Sequence, residues 1–427
     1  MSSTLPASQY CDRVFDGTHA TPKAVDEGKP LVTSKNIVGG TLDLGDCYNI
    51  SLEDYEEIKR RSYVSQWDVL FSMIGSVGEV YLEKNKRIEY AVKNVGVFSC
   101  LNEKRAQWLY YYLKSPTAAK IIKNQLSGAV QKFLGLGALR NFPIPQFIEE
   151  RYESVSFLSA LDAKIELNQR LNAELEGMAK LLYDYWFVQF DFPMSAAQAA
   201  AIGKPRLQGQ PYRASGGKII YNETLKREIP AEWNAESLNC LGEIIGGSTP
   251  STKQEDHFTS HGTPWITPKD MSRNAQNKFI SRGETDVTEA GIKSASLTLL
   301  PVGSVLMSSR APIGYTAIAR NPVTTNQGFK SFVPSKGYST EFIYYTLNHQ
   351  MKVIEQNASG STFKEVSGGT LKAIQTQLPE PNVRAEFSKI LKPMLAQQDT
   401  LEQQNQELTT LRDWLLPMLM NGQVTVG

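Results

Sequence analysis

The sequence predicts an α+β protein: two mixed, mostly β domains in tandem, each followed by a long helix, the two helices pairing as an antiparallel coiled coil. Three observations lead there. They are a very long internal repeat, short β-rich runs broken by Gly, Pro, Ser and Thr within each copy, and heptad spacing after each copy.

The repeat has a separation of roughly 234 residues, far beyond any solenoid unit. DGTHATPK (16–23) and KPLVTSKNI (29–37) face GGSTPSTK (246–253) and TPWITPKDM (263–271), setting Pro30, Thr33 and Lys35 opposite Pro264, Thr267 and Lys269. DVLFSMIGSVG (68–78) faces SVLMSSRAPIG (304–314), and WLYYYL (108–113) faces FIYYTL (342–347). GAVQKFLGLGAL (128–139) faces GSTFKEVSGGTL (360–371), and each half then reaches a proline pair, Pro143/Pro145 or Pro379/Pro381. Matches that keep one order along both halves define two large modules.

After each proline pair the chain becomes long, polar and helical. In the first half the heptad core positions are Leu158, Leu161, Ile165, Asn168, Asn172, Leu175, Ala179, Leu182 and Trp186. In the second they are Phe387, Ile390, Met394, Gln397, Leu401, Gln404, Leu408, Leu411, Leu415 and Met418. Alternating steps of three and four residues indicate a coiled-coil seam, and polar core residues within such a seam set its register. Helices that merely packed on their own domains would also show one apolar side; two matching seams favour pairing with each other. The expected divisions are a first domain over 1–150, a helical region over 151–193, an Ala-, Gly- and Pro-rich linker over 194–217, a second domain over 218–382 and a C-terminal helical region over 383–427.

Composition narrows the function classes. At 427 residues, 41% hydrophobic and 21% charged, the chain is ordinary globular protein with room for several cores. Its N-terminus lacks a basic region followed by an apolar core, and no apolar run approaches the ~18–20 residues that span a bilayer, so a cytoplasmic location and no membrane partner are expected. Cys11, Cys47, Cys100 and Cys240 form no CxxC pair, which points to plain thiols. Gly28-Lys29, Gly203-Lys204 and Gly217-Lys218 lack the rest of a phosphate cradle, and GLGALR (135–140) lacks the third glycine of a dinucleotide turn. His257 and His261 have ligand spacing but no third ligand, and Glu57 and Lys59 read as a solvated helix face. With no Asn/Asp-Pro-Pro-aromatic tetrapeptide either, no catalytic residue, metal or cofactor of its own is expected.

The repeated loops carry hydroxyls, amides and isolated cations. The first module supplies Thr18, His19, Lys23, Thr33, Ser34, Lys35, Asn36 and Lys132. The second supplies Ser248, Thr249, Ser251, Thr267, Lys269 and Asp270, then Ser308, Ser309 and Arg310, then Asn326, Gln327 and Lys330, and finally Ser361, Thr362 and Lys364. Arg and Lys pair with guanine edges, Asn and Gln with adenine, Asp with the cytosine amino group, and hydroxyls with phosphate. Generic polar loops contain much of the same inventory, and composition does not separate the two. Symmetry adds to the DNA reading. Two modules on successive patches of one groove sit best about a pseudo-dyad, which calls for antiparallel helices and would bring Asn168 to Gln404 and Asn172 opposite Leu401. A helix of ~30 residues is ~45 Å long, enough to hold two readers about one DNA turn apart.

The phrases LLYDYWFVQFDFP (181–193) and GQPYRASGGKIIYNETLKREIPAEW (209–233) resemble the central region of the specificity subunit of type I restriction-modification systems. GGSTPS, WITPKDM, SSRAPIG, NQGF, GSTFKEVS and LPEP are similar to phrases that family shows in the same order, so the resemblance covers essentially the whole chain. It implies a non-catalytic subunit with two target-recognition domains, each reading one half of a bipartite, asymmetric double-stranded DNA site across a non-specific spacer. It further implies helices that dock two methylation subunits, which carry S-adenosylmethionine, joined by restriction subunits that use ATP and Mg.

The residues expected at the subunit interface are Leu182, Tyr183, Tyr185, Trp186, Phe187, Phe190, Leu411, Leu415 and Met418. Six aromatic side chains in the thirteen residues 181–193 need more than one packing partner. Leu182 and Trp186 are expected inside, with Tyr185 and Phe190 facing outward or toward the adjoining domain.

Overall fold

The computed structural model describes residues 4–127, 132–149, 152–360 and 364–424. The chain forms two compact units, one of residues 1–166 with 406–427 and one of residues 167–405.

In the first unit, β1 (Arg13–Asp16), β2 (Lys29–Thr33), β3 (Asp68–Ser72), β4 (Val80–Leu82), β5 (Ala91–Lys93) and β6 (Val95–Ser99) build the β part. The main sheet has the order β1-β6-β3-β4 and is antiparallel throughout. β3 and β6 are buried along their whole length, which explains why they read as continuous apolar runs rather than alternating ones. β2 runs parallel to β5, pairing Leu31 with Ala91 and Val32 with Val92. α1 (Glu103–Lys114) starts at Asn102, whose side chain accepts from the Arg105 amide, and it buries Trp108, Leu109 and Tyr111. α2 (Leu136–Arg140) sets the buried Leu139 into the same core.

α3 (Tyr152–Tyr183) starts in the first unit and its last turns lie in the second. The second unit then repeats the plan. β7 (Glu243–Gly246), β8 (Thr263–Ile266), α4 (Pro268–Arg273), β9 (Phe279–Ile280), β10 (Val305–Ser309), β11 (Ile313–Ala319), β12 (Thr324–Thr325) and β13 (Lys330–Val333) precede α5 (Thr340–His349) and α6 (Gly368–Ala373). The main sheet has the order β7-β13-β10-β11-β9, and β8 runs parallel to β12 as β2 does to β5. α7 (Pro381–Met420) ends the fold.

The long helices pair within each unit. In the first, Val155 and Leu158 of α3 share a core with Leu416, Leu419 and Met420 of α7, and Arg412 Nη1 lies 2.8 Å from Asp162 Oδ1. In the second, Asn168 Nδ2 donates to Gln404 Oε1 at 3.3 Å, as the heptads predict, and Gln398 Nε2 donates to the Asn172 carbonyl at 3.3 Å. Residue numbers rise along α3 as they fall along α7, so the pairing is antiparallel.

The predicted core positions of α3 are all buried or half-buried. On α7, Phe387, Met394, Leu401, Leu408, Leu415 and Met418 are buried or half-buried as expected, but Ile390, Gln397, Gln404 and Leu411 are exposed, and Leu391, Leu395, Gln398, Glu402, Leu416 and Leu419 are buried as well. Polar residues hold interior places because each finds a partner there: Gln398 meets Lys278, Glu402 accepts from the backbone amides of Lys278 and Phe279, and the half-buried Arg412 pairs with Asp162.

The aromatic stretch ends α3 in a wider turn over Asp184–Val188, where the Gln189 amide reaches back five residues to the Asp184 carbonyl. Phe190 then adopts φ +66° and turns the chain. Tyr183, Trp186, Phe187, Phe190 and Phe192 all enter the core of the second unit, with Phe187 4.7 Å from the Phe387 ring and Phe190 5.4 Å from Trp233. Trp186 is inside as expected and Leu182 is half-buried against the same core, while Phe190, expected outward or toward the adjoining domain, is 1% exposed and takes the second of those places, against Trp233. Nor is Met194–Gly217 a bare tether: Met194, Ala199 and Tyr212 are buried, and Tyr212 stacks on Phe192 at 4.7 Å.

Candidate nucleic-acid interface

Each unit brings corresponding short segments together, and two of the backbone bonds that hold them recur, Thr18 to Val92 as Ser248 to Thr325 and Leu134 to Met73 as Val366 to Ser309. In the second unit the Ser248 amide donates to the Thr325 carbonyl at 3.0 Å, the Trp265 indole donates to the Ser248 carbonyl at 3.1 Å, and the Asn326 amide donates to Ile266 at 3.0 Å. The Ser309 amide donates to Gly328 at 2.7 Å and the Val366 amide to Ser309 at 3.0 Å. These bonds gather the ends of β7 and β10, the N-termini of α4 and α6, the turn 326–329 and the bridge between Arg310 and Glu365.

In the first unit the Thr18 amide donates to Val92 at 3.0 Å, the Asn94 amide to Thr18 at 3.2 Å and the Leu134 amide to Met73 at 2.9 Å. Ile74 and Phe133 make the bridge that Arg310 and Glu365 make in the second. Close approach of strands requires Gly17 and Gly247: a Cβ on Gly17 would lie 2.3 Å from the Val92 carbonyl oxygen, and one on Gly247 2.0 Å from that of Asn326.

Several residues expected to contact DNA are bonded into this framework. Asn36 Oδ1 accepts from the Thr33 amide and hydroxyl at 2.9 and 2.8 Å, and Asp270 Oδ2 accepts from the Thr267 amide and hydroxyl at 2.9 and 2.6 Å. The Ser34 hydroxyl donates to the Asn94 carbonyl at 2.9 Å, and Ser309 donates to Gly328 at 3.2 Å. The Ser308 hydroxyl donates to the Pro312 carbonyl at 2.8 Å while accepting from the Tyr315 amide at 2.9 Å. Ser34, Asn36, Asp270, Ser308 and Ser309 are all buried. Ser361 and Thr362 lie outside the described residues.

The rest face solvent to differing degrees. Lys23, Lys132, Ser251, Gln327 and Lys364 are exposed, and Thr18, Thr33, Ser248, Thr249, Thr267, Asn326 and Lys330 are half-buried. Lys35 sits 2.9 Å from Asp46, which raises its pKa, and Lys269 sits 2.8 Å from Glu284. Arg310 Nη1 is 3.7 Å from Glu365, while His19 is held between Asn94 Oδ1 at 2.8 Å and Asp16 Oδ2 at 3.0 Å. Such exposed pairs are weak and can open when a phosphate competes.

Asn94 and Lys93, at the tip of the β5–β6 turn, escaped the sequence reading. That turn is one residue shorter than its counterpart 326–328, which blurs the repeat there; the signal was the NQGF phrase of the other module.

Of the residues expected at a subunit interface, Tyr183, Trp186, Phe187 and Phe190 are buried by packing within the second unit. Leu182, Leu415 and Met418 are half-buried, whereas Tyr185 and Leu411 are exposed. Among the described residues no three His, Cys, Asp or Glu side chains are grouped to hold a metal ion, and no helix is long and apolar enough to cross a membrane.

The family described as Type I restriction modification DNA specificity domain matches residues 22–177 and 230–410. The chain belongs to this family. Among other specificity subunits, that of the MjaIX type I restriction enzyme of Methanocaldococcus jannaschii is 42% identical over 40% of this chain and 40% of its own length. The HindI specificity subunit of Haemophilus influenzae is 28% identical over 65% of this chain and 67% of its own. The crystal structure of the type I restriction-modification S subunit from M. genitalium shares the fold, with a TM-score of 0.60 at 13% identity, covering 98% of this chain and 96% of that one.

Proposed function

We propose that this chain is the DNA-reading subunit of a type I restriction-modification complex, each module recognising one half of a bipartite, asymmetric target. The observation that carries it is a constant framework presenting different chemistry. The paired bonds of Thr33 with Asn36 and Thr267 with Asp270 recur, while the bridge beside them is Ile74 with Phe133 in one module and Arg310 with Glu365 in the other. Unlike side chains on like scaffolds are what two unlike half-sites require. Lys35, Lys132, Lys269, Arg310 and Lys364 are assigned to the DNA face, and the lengths of α3 and α7 to setting the spacer.

Exposed apolar side chains on the long helices are the docking points for two methylation subunits. On α3 these are Leu171, Met178, Leu181 and Tyr185, and on α7 Leu411 and Trp414. Met178 and Trp414 correspond under the repeat and are 60% and 63% exposed. S-adenosylmethionine belongs to those partners, ATP and Mg to restriction subunits, and this chain itself catalyses nothing.

The test is methylated-base mapping of DNA from cells carrying the chain with its methylation subunit. A two-part motif is expected, with Arg310→Ala relaxing one half alone. An undivided motif, or relaxation of both halves, would refute modular readout.

A further inference from the structure

The helix pair carries a charge pattern that the DNA reading does not use. Pro145 corresponds to Pro381, and the same offset sets Asp162 opposite Gln398, Asn168 opposite Gln404, and Glu176 opposite Arg412 in the repeat. The first and last of these pairs differ in charge, while Asn168 and Gln404 are both neutral amides. In the first unit Asp162 accepts from Arg412 Nη1 at 2.8 Å and from the Tyr111 hydroxyl at 2.8 Å. In the second, Tyr345, the counterpart of Tyr111, donates to Glu176 at 2.9 Å, and the cation comes from outside the helices: Lys278 Nζ lies 2.5 Å from Glu176 and 2.7 Å from Gln398.

Consider α3 paired with a second copy of itself in the register it uses with α7. Asn168 would face Asn168, and Asp162 would face Glu176 of the other copy, twice. If α7 paired with another α7, the place of Glu176 beside Lys278 would be taken by Arg412, again twice. Both like-with-like pairings therefore set equal charges together in half-buried positions, where repulsion is screened poorly. Only α3 with α7 joins Asp162 to Arg412 and Glu176 to Lys278.

We propose that these charges make α3 and α7 complementary to each other and each repellent to its own duplicate, so that α3 pairs with α7 and not with the α3, nor α7 with the α7, of a second copy. An internal repeat needs such a device, because its halves share one shape and apolar packing alone does not distinguish them.

The test is the full chain with Glu176→Arg and Arg412→Glu together. Net charge is unchanged. Within one chain, Asp162 now meets Glu and Lys278 meets Arg; between two chains that pair α3 with α3 and α7 with α7, both contacts become opposite in sign. Light scattering after size exclusion should give the 47.6 kDa chain mass for the native protein and twice that for the variant. Glu176→Ala with Arg412→Ala, which removes the same pairs without creating new ones, should stay at the single mass. A single mass for the charge-exchanged variant, or equal doubling in both variants, would overturn the proposal. Should the charge-exchanged variant not fold, disulfide trapping of the full chain with Asn168→Cys, which marks an α3–α3 contact, decides the matter. Cross-linked pairs should be several-fold rarer with Glu176 kept than with Glu176→Gln added, and equal yields would overturn the proposal.

Discussion

Removing Lys278 tests how the second domain is fixed to its helices. The side chain is 5% exposed, and its ammonium is 2.5 Å from Glu176, 2.6 Å from the Tyr345 hydroxyl and 2.7 Å from Gln398, with the Tyr344 and Tyr345 rings at 5.1 and 4.9 Å. Taking one partner from a buried pair costs ~3–5 kcal/mol, mostly because the other charge is left desolvated. Glu176 keeps 23% of its surface and has Lys180 at 3.4 Å, so Lys278→Ala belongs at the lower edge, about 3 kcal/mol. Lys278→Ala combined with Glu176→Ala should cost clearly less than the sum of the two single changes, with a coupling of at least ~1 kcal/mol. Urea denaturation of the four proteins measures this directly. Costs that add within ~0.5 kcal/mol would refute the reasoning.

The pH dependence of that pair follows. Burial pushes the Glu176 carboxyl up, but Lys278, Tyr345 and Lys180 outweigh it and hold it below the usual carboxylate range. Its share of stability is therefore present above the unfolded carboxylate pKa and is lost as pH falls through the lower folded value.

Asp68 on β3 behaves in the opposite sense, since burial raises its carboxyl to about 6 against partial relief from Ser99, Ser65 and Arg13. The folded state then holds the proton more tightly, so this contribution is full below the unfolded pKa and is lost as pH rises toward 6. Asp68→Asn should match the native protein near pH 4 and exceed it by about 2–3 kcal/mol at pH 7, read by urea midpoints across that range. Gly17→Ala and Gly247→Ala, each meeting a backbone oxygen, should destabilise by ~1–3 kcal/mol in thermal melts; no change would deny the close approach. Gly177→Ala, on α3 with open space around it, should instead stabilise by ~0.5–1 kcal/mol, and hydrogen exchange along α3 should slow.

The architecture was legible because the repeat aligns residues with geometric duties. Thr33 with Asn36 and Thr267 with Asp270 are capping pairs, and Ser72 and Ser308 hold equivalent turns. The α3 seam was legible because its core positions are apolar apart from Asn168 and Asn172. The α7 seam was legible only in part, since Gln398, Glu402 and Arg412 turn inward to partners that no periodicity reveals, while Ile390 and Leu411 face out. The site was half legible for a related reason. A serine that bonds its own turn and a serine offered to a ligand are the same letter, and only burial separates Ser308 from Ser251.

The hydroxyls at Ser72 and Ser308 carry a wider consequence. Each spans its turn from inside, Ser72 bonding the Ser76 carbonyl at 2.5 Å and the Glu79 amide at 2.9 Å, Ser308 the Pro312 carbonyl and the Tyr315 amide. The turns are braced without help from the side chains between them. What a module displays at Ser76 or Arg310 can thus be rewritten at little thermodynamic cost, so that, on the proposed reading, new targets and a stable fold do not compete for these residues.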